Sequence, residues 1–447
     1  MKLWQKENTH TAAQIERFTV GRDREFDLFL APYDVLGSLA HIAMLQSIGL
    51  LTQTELALLQ AELRGIYEQI KSGDFFIEEG VEDVHSQVEL MLTQRLGEMG
   101  KKIHAGRSRN DQVLVDLKLY TRAKLQEVVE VVHLVFEKLL SLSDEHKYVL
   151  LPGYTHLQIA MPSSFGLWFG AYAEALIDDT EMLLTAYRIA NKNPLGSGAG
   201  YGSSFPLNRS LTTQLLGFQS PHYNVVYAQM SRGKTELFAT TAIAQVAATL
   251  ARMAMDICLY NSQNFGFLIL PDDMTTGSSI MPHKKNPDVA ELLRGKCNRL
   301  KALPHEITLV MSNLPSGYHR EMQLLKEIVM PAFDEILDCL HITHFMLSGL
   351  KVKDGILDDP KYDLLFSVER ANELVRQGES FREAYRIVGK EIAEGTYEPN
   401  RELSHTHEGS IGNLCNEQID GMMDELLAQF EFEKVEDALN KLISPAV

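Results

Sequence analysis

Ala239-Thr-Thr-Ala-Ile-Ala-Gln-Val-Ala-Ala-Thr-Leu-Ala251 is the stretch on which the fold turns. Its apolar residues do not keep to one helical stripe but wrap more than one face. A helix of that kind needs neighbours on several sides, which points to the interior of a bundle and to association between subunits. The helical period extends on both sides of it, over about 227–265. Comparable stretches run over about 112–142, 163–190, 288–311 and 321–347. These exceed the mean helix of about a dozen residues, and a long bundle is the natural way to bury them. Pro304 predicts a kink in the fourth, because proline removes a helical N–H and crowds the preceding turn. No sustained alternation predicts a sheet, so the expected fold class is all-α.

Shorter elements flank this core. Thr52-Gln-Thr-Glu55 is a capping-box pattern that opens a helix through Leu56-Ala-Leu-Leu-Gln-Ala-Glu-Leu, ended by Ser72-Gly73. Gly80, Gly97 and Gly100 bracket another helix carrying Val84, Val88, Leu90 and Leu92. The chain's last part has shorter elements and a more polar texture. The expected organisation is an N-terminal helical domain at 1–106, a central long-helix bundle at 107–357 and a small C-terminal helical domain at 358–447.

Composition narrows the function. With 42 Lys+Arg against 60 Asp+Glu, the 447-residue chain carries a formal net charge of −18, which repels nucleic acid and anionic membranes. An anionic substrate must therefore meet a local positive cluster. No apolar run is read as reaching the ~20 residues of a bilayer span. The start, Met-Lys-Leu-Trp-Gln-Lys-Glu-Asn, lacks the apolar core of a signal peptide, so a cytoplasmic location is expected. Cys258, Cys297, Cys339 and Cys415 are scattered without a Cys-x-x-Cys pair, which predicts reduced thiols rather than disulfides or a zinc knuckle.

Four polar clusters fall in the breaks between long helices, where functional side chains are usually mounted. Gly277-Ser-Ser-Ile-Met-Pro-His-Lys-Lys-Asn-Pro287 precedes a helix start and combines hydroxyls, two lysines and free backbone N–H groups. That is a carboxylate or oxyanion holder without a Walker phosphate loop. Arg107-Ser-Arg-Asn-Asp-Gln112 offers two guanidinium forks before a helix, with Asn110 or Asp111 as its N-cap. Pro152-Gly-Tyr-Thr-His-Leu-Gln158 presents a hydroxyl beside an imidazole, the side chain best poised to move protons near neutral pH. Tyr318-His-Arg-Glu-Met-Gln-Leu-Leu-Lys326 sets Gln323 and Lys326 on one helical face. Taken singly, each also fits something plainer: a serine-rich turn with solvated lysines, a charged cap, a structural loop histidine or a surface stripe. The glycine-rich run 193–202 follows a helix rather than a strand and is a connector, not a dinucleotide site. His405-Thr-His407 lacks the further ligands of a closed metal site, and no metal is expected.

Together and in this order, the four clusters resemble the signatures of the fumarase/aspartase superfamily and, within it, the argininosuccinate lyases. The stretch Phe381-Arg-Glu-Ala-Tyr-Arg-Ile-Val-Gly-Lys390 is similar to the same family. The resemblance implies an all-helical homotetramer with active sites shared between subunits. It also implies cleavage of a small molecule, argininosuccinate, to arginine and fumarate without a cofactor. By matching positions it makes Ser278 the base, with Lys284 and Asn286 on the carboxylate, and His156, oriented by Glu291, the acid toward the leaving nitrogen. Ser108, Arg109, Asn110, Thr155, Tyr318, Gln323 and Lys326 become substrate contacts, joined by Arg232, Asp83, His85 and Asp27.

The chain departs from the family pattern in places. Leu3-Trp4 continues with Gln-Lys-Glu-Asn instead of Gly-Gly-Arg-Phe, Asp23 stands where a serine is expected, and Asn208 precedes Arg209 in place of Asp. His283 replaces a common glutamine and is frequent in adenylosuccinate lyases, which are the alternative reading, although they lack the Ser-Arg-Asn-Asp cluster. A catalytically silent crystallin-like homologue is the third, opposed by the presence of His156, Ser278, Lys284 and Asn286.

Overall fold

The structure, a computed structural model, describes residues 13–444; the Leu3-Trp4 segment lies outside them. Helix α1 (Ala13–Val20) leads into α2 (Asp23–Ser47), whose first turn carries Asp23 and Glu25 at the positive end of the helix dipole. The sequence pattern did not reveal α2, because Pro32 interrupts it internally. Helix α3 (Gln53–Lys71) starts on the expected Thr52/Glu55 capping box. Asp83 caps α4 (Val84–Leu96), accepting from the Ser86 N–H at 2.9 Å, and the short α5 (Glu98–Lys101) follows.

The bundle begins with α6 (Arg109–Glu145), followed by the strands β1 (Leu150–Thr155) and β2 (Gln158–Ser164) and then α7 (Phe165–Ala190). The hairpin corrects the expectation of no sheet: it is too short and too exposed to show a burial alternation. Three two-residue pairings accompany it: β3 (Lys192–Asn193) with β4 (Ser220–Pro221), and, among β5 (Leu268–Ile269), β6 (Thr276–Gly277), β7 (Lys285–Asn286) and β8 (Lys351–Val352), β5 with β8 and β6 with β7. Between them α8 (Arg209–Leu215) is capped by Asn208, whose Oδ1 accepts from the Leu211 N–H at 3.0 Å. Asparagine caps as well as aspartate does, so the Asn208 departure is conservative.

The stretch expected as one helix over 227–265 divides into α9 (Val225–Met230) and α10 (Lys234–Asn261), because Gly233 adopts φ 82° between them. Pro304 does not kink a continuous helix: α11 (Asp288–Leu300) ends before it, and α12 (Leu303–Val310) begins with it in the first turn, where no N–H is missed. Helix α13 (Leu325–Gly349) is entered through a 3-10 turn over Arg320–Leu324.

Alanines explain how α10 sits at the centre. Ala239, Ala242, Ala247 and Ala254 are buried without bulk, so α7, α11, α12 and α13 approach it closely. Within 239–251 Gln245 is the exposed residue. Phe136 and Leu139 of α6, Phe169 and Leu176 of α7, and Phe333 and Leu340 of α13 fill the same core. A second core joins Leu39 and Ile42 of α2, Leu59 and Leu63 of α3, Val88 of α4 and Leu119 of α6. The small helices α14 (Ser367–Arg376) and α15 (Phe381–Glu394) make a cluster of their own around Ala371, Leu374, Ala384 and Val388. By contrast, α16 (Asn416–Leu427) returns to α7, and α17 (Phe432–Ile443) docks its Leu442 in the second core.

Contrary to the sequence reading, α2 and α10 are long and apolar enough to span a bilayer, with mean hydropathy of 1.5 and 1.4. Their apolar windows are 72% and 56% buried against other helices of the fold, so the same composition serves the core.

Candidate active site

The starts of α2, α4, α6 and α13 converge on a cleft. Ser108, rather than Asn110 or Asp111, caps α6: its Oγ accepts from the Asn110 N–H at 3.3 Å, while its own N–H donates to Asp111 Oδ1 at 2.8 Å. The other Asp111 oxygen accepts from Gly196 and Gly198 at 2.9 Å each, anchoring the glycine-rich connector. This cap presents Arg109 to the start of α4. There its Nε lies 2.8 Å from Asp83, Nη1 3.1 Å from Glu82, and Nη2 donates to Ser86 Oγ at 3.0 Å.

Opposite stands Lys326, on the first turn of α13 and 3% exposed. Its Nζ is 2.8 Å from Asp23 and 2.5 Å from Asp27, both on α2. Burial works against its charge, but Asp27 and Asp23 outweigh it and raise the lysine's pKa. The Asp23 departure is thus a second carboxylate on Lys326. Asp27 also accepts from the Val84 N–H at 3.3 Å, tying α2 to α4. Gln323 donates to the carbonyls of Thr19 and Val20, each at 3.2 Å. Arg232, in the break before α10, donates to the Met322 carbonyl at 3.2 Å and lies 5.8 Å from the Tyr318 ring. Asn110, Tyr318 and His85 complete the wall.

Arg109 and Lys326 are folded onto carboxylates and Arg232 onto a backbone carbonyl, and about 50 Å³ is left free, room for a few waters. A larger crevice of about 570 Å³ lies elsewhere, where Glu137 and Asp144 of α6 face Glu417 of α16, and contains none of the expected site residues.

Glu82 and Arg320 also line the cleft, with Arg320 Nη2 3.5 Å from Glu82, and sequence reasoning missed both. Each adjoins an expected residue or motif, Asp83 in one case and Tyr318 to Lys326 in the other, which was the available signal.

The remaining expected residues do not line this cleft. Thr155 ends β1, and His156 and Leu157 form the two-residue turn to Gln158, all exposed. Both central residues have positive φ, 53° and 59°. A type I′-like turn demands this, and glycine or asparagine meets it more easily, so His156 is held in a strained backbone on display. Ser278, half-buried, begins the loop that β6 and β7 close, and its Oγ accepts from Met281 N–H at 3.2 Å and Ile280 N–H at 3.4 Å. Those two donors favour negative charge on the oxygen. Lys284 is exposed on the same loop, Asn286 pairs across to Thr276, and α11 begins at Asp288 with Pro287 as its cap. Glu291 is exposed on α11, and among the described residues no hydrogen bond joins it to His156. In one chain the charged cleft therefore lies apart from both the hairpin turn carrying a histidine and the anion-holding loop.

The predominantly helical fold recurs in solved structures. EDDS lyase in complex with formate matches with a TM-score of 0.76 at 21% identity, covering 97% of this chain and 95% of that one. Class II fumarase from Schistosoma mansoni matches with a TM-score of 0.68 at 16% identity, covering 95% and 97%. Residues 7–301 match the family model described as Lyase. Fold and sequence define a lyase of the fumarase/aspartase superfamily. The argininosuccinate lyase of Parabacteroides distasonis is 62% identical over 442 residues, 99% of each chain, and that of Bacteroides thetaiotaomicron is 60% identical over the same share. The chain belongs to the argininosuccinate lyase family.

Proposed function

We propose that the enzyme cleaves argininosuccinate to arginine and fumarate by β-elimination, the reaction that releases arginine in its biosynthesis. The observation that carries this is the 62% identity to an argininosuccinate lyase across 99% of both chains. Removal of a proton beside a carboxylate creates a dianionic aci-carboxylate, which needs concentrated positive charge and oriented donors. In this reading Ser278 is the base, favoured as an alkoxide by the Met281 and Ile280 N–H groups and by Lys284 nearby in the loop. Lys284 and Asn286 hold the substrate carboxylate. His156, with Glu291 orienting it, gives a proton to the departing guanidinium nitrogen.

The charged cleft takes the rest of the substrate. Arg109, Arg232 and Lys326 receive carboxylates, exchanging their protein partners for the ligand, while Asp23, Asp27 and Asp83 are then free to face its cationic groups. Ser108, Asn110, Thr155, Tyr318 and Gln323 supply neutral donors and acceptors. The separation of the cleft from the hairpin and the loop in one chain supports a homotetramer in which each site draws its parts from different subunits, working in the cytoplasm on a small molecule without cofactor or metal.

The test is a fumarate-release assay with argininosuccinate and adenylosuccinate side by side, monitored by ultraviolet absorbance. Release from argininosuccinate alone is expected. No release from it, or faster release from adenylosuccinate, rejects the reading.

A further inference from the structure

Behind the cleft wall two carboxylates share one buried space. Asp34 of α2 and Asp116 of α6 are both 0% exposed, and His85 of α4 is 6% exposed beside them. Asp34 Oδ1 accepts from His85 Nδ1 at 2.8 Å and from Gln112 Nε2 at 2.7 Å. Asp116 Oδ2 lies 3.5 Å from the same His85 nitrogen. The second Asp34 oxygen and both Asp116 oxygens are buried without a hydrogen-bond partner. Two such carboxylates persist only if positive charge and a proton are placed among them. Arg107, buried and bonded to Ser38 Oγ at 3.0 Å, supplies one charge, and an imidazolium supplies the other. Because Nδ1 is occupied by Asp34, Nε2 is the His85 nitrogen left for the cleft that this residue lines.

We propose that Asp34 is a positioning residue: it fixes the His85 ring through Nδ1, so that Nε2–H stands in the cleft as a cationic donor to a carboxylate of the substrate. This rests on the reading of the cleft as the substrate site. The charges around the ring agree with it. Asp34 faces it from α2, Asp116 from α6 and Asp83 from the cap of its own helix, with His104 opposing them, while Asp27 acts on Asp116 and Arg107 on both Asp34 and Asp116. Burial opposes a charged His85, but the Asp34 hydrogen bond and charge, then Asp83 and Asp116, raise its pKa to about 9. Burial, then the charge of Asp34, pushes Asp116 well up, so Asp116 carries the shared proton.

The test compares kcat and KM for argininosuccinate from pH 6 to 10 in wild type, Asp34→Asn, His85→Gln and the double variant, with circular dichroism as the folding control. A contact made equally in ground and transition states appears mainly in KM. Asp34→Asn is expected to raise KM by at least about tenfold, the lower end of what losing a histidine's carboxylate partner does. The alkaline fall in kcat/KM, near pH 9 in wild type, moves toward neutrality in Asp34→Asn and is absent in His85→Gln. The double variant is no worse than His85→Gln, because the two residues act as one unit.

A folded Asp34→Asn enzyme with wild-type KM and an unmoved alkaline limb overturns the proposal. If Asp34→Asn does not fold, wild type against His85→Gln still decides: a His85 limb near the ordinary histidine value of about 6.5 overturns it. A wild type without turnover refutes the assigned reaction, and calorimetric titration of argininosuccinate into wild type and Asp34→Asn then tests the positioning separately, with equal affinities overturning it.

Discussion

Replacing Lys326 by methionine tests the electrostatic reasoning about the cleft most directly. The ammonium lies 2.8 Å from Asp23 and 2.5 Å from Asp27, and the three side chains are 3%, 16% and 1% exposed. Unit charges at about 2.8 Å attract by about 6 kcal/mol at an effective dielectric of about 20. Desolvation offsets much of that, and deleting one member of a buried pair typically costs about 3–5 kcal/mol, since the other charge stays behind. Asp23 retains some access to water and Asp27 keeps the Val84 N–H, which places the expected loss at the lower end, about 3 kcal/mol at pH 8.

The loss also has a definite pH dependence. Burial already raises Asp23 in the native enzyme against the pull of Lys326. Without the lysine its lowering pull is lost while burial and the Asp27 charge remain, so the carboxyl rises further. A native carboxyl with a raised pKa binds more protons than its unfolded form, so stability falls as pH climbs from about 4 through the raised value. Lys326→Met is therefore expected to be nearer to wild type at pH 5 than at pH 8. Urea melts at fixed protein concentration measure this. A loss under about 1 kcal/mol at pH 8, or a larger loss at pH 5, would refute the reasoning.

Other outcomes follow from single contacts. Ser278→Ala is expected to abolish fumarate release while leaving the circular dichroism spectrum and assembly mass intact; a near-normal rate places the base elsewhere. Ser164, 0% exposed, caps α7 by accepting from the Leu167 N–H at 3.2 Å, so Ser164→Ala should lower the urea-derived stability by about 1–2 kcal/mol. Burial, then Lys118, Lys192 and Arg209, depresses His222 to about 3, so it stays neutral while its unfolded form protonates below about 6.5. Wild type should accordingly lose up to about 2 kcal/mol relative to His222→Phe between pH 7 and pH 5, and parallel stability curves would count against it.

Local chemistry was legible in the chain where it is enforced locally. The Thr52/Glu55 box opened α3 as read, and the run 163–190 became α7 because cap and period lie in consecutive residues. Errors arose where a neighbour or one backbone angle decides. Gly233 divides the helix expected over 227–265, Pro304 opens a new helix instead of bending an old one, and Ser108 takes the cap that Asn110 and Asp111 were given. Asp34 was overlooked although Asp27 and Asp34 are seven apart on one face of α2, since an internal proline hid the helix itself.

By itself the sequence determined the helical class, the family and the order of the four polar clusters, because motif spacing and helical period are properties of the chain alone. Which charges meet was decided only by tertiary structure. Lys326 finds Asp23 and Asp27 across some three hundred residues, and His85 finds Asp34 and Asp116 in a space no pattern announces. Burial strengthens such pairs and makes an unpaired member costly, so the fold has to bring them together, and a linear pattern carries no record of that distance.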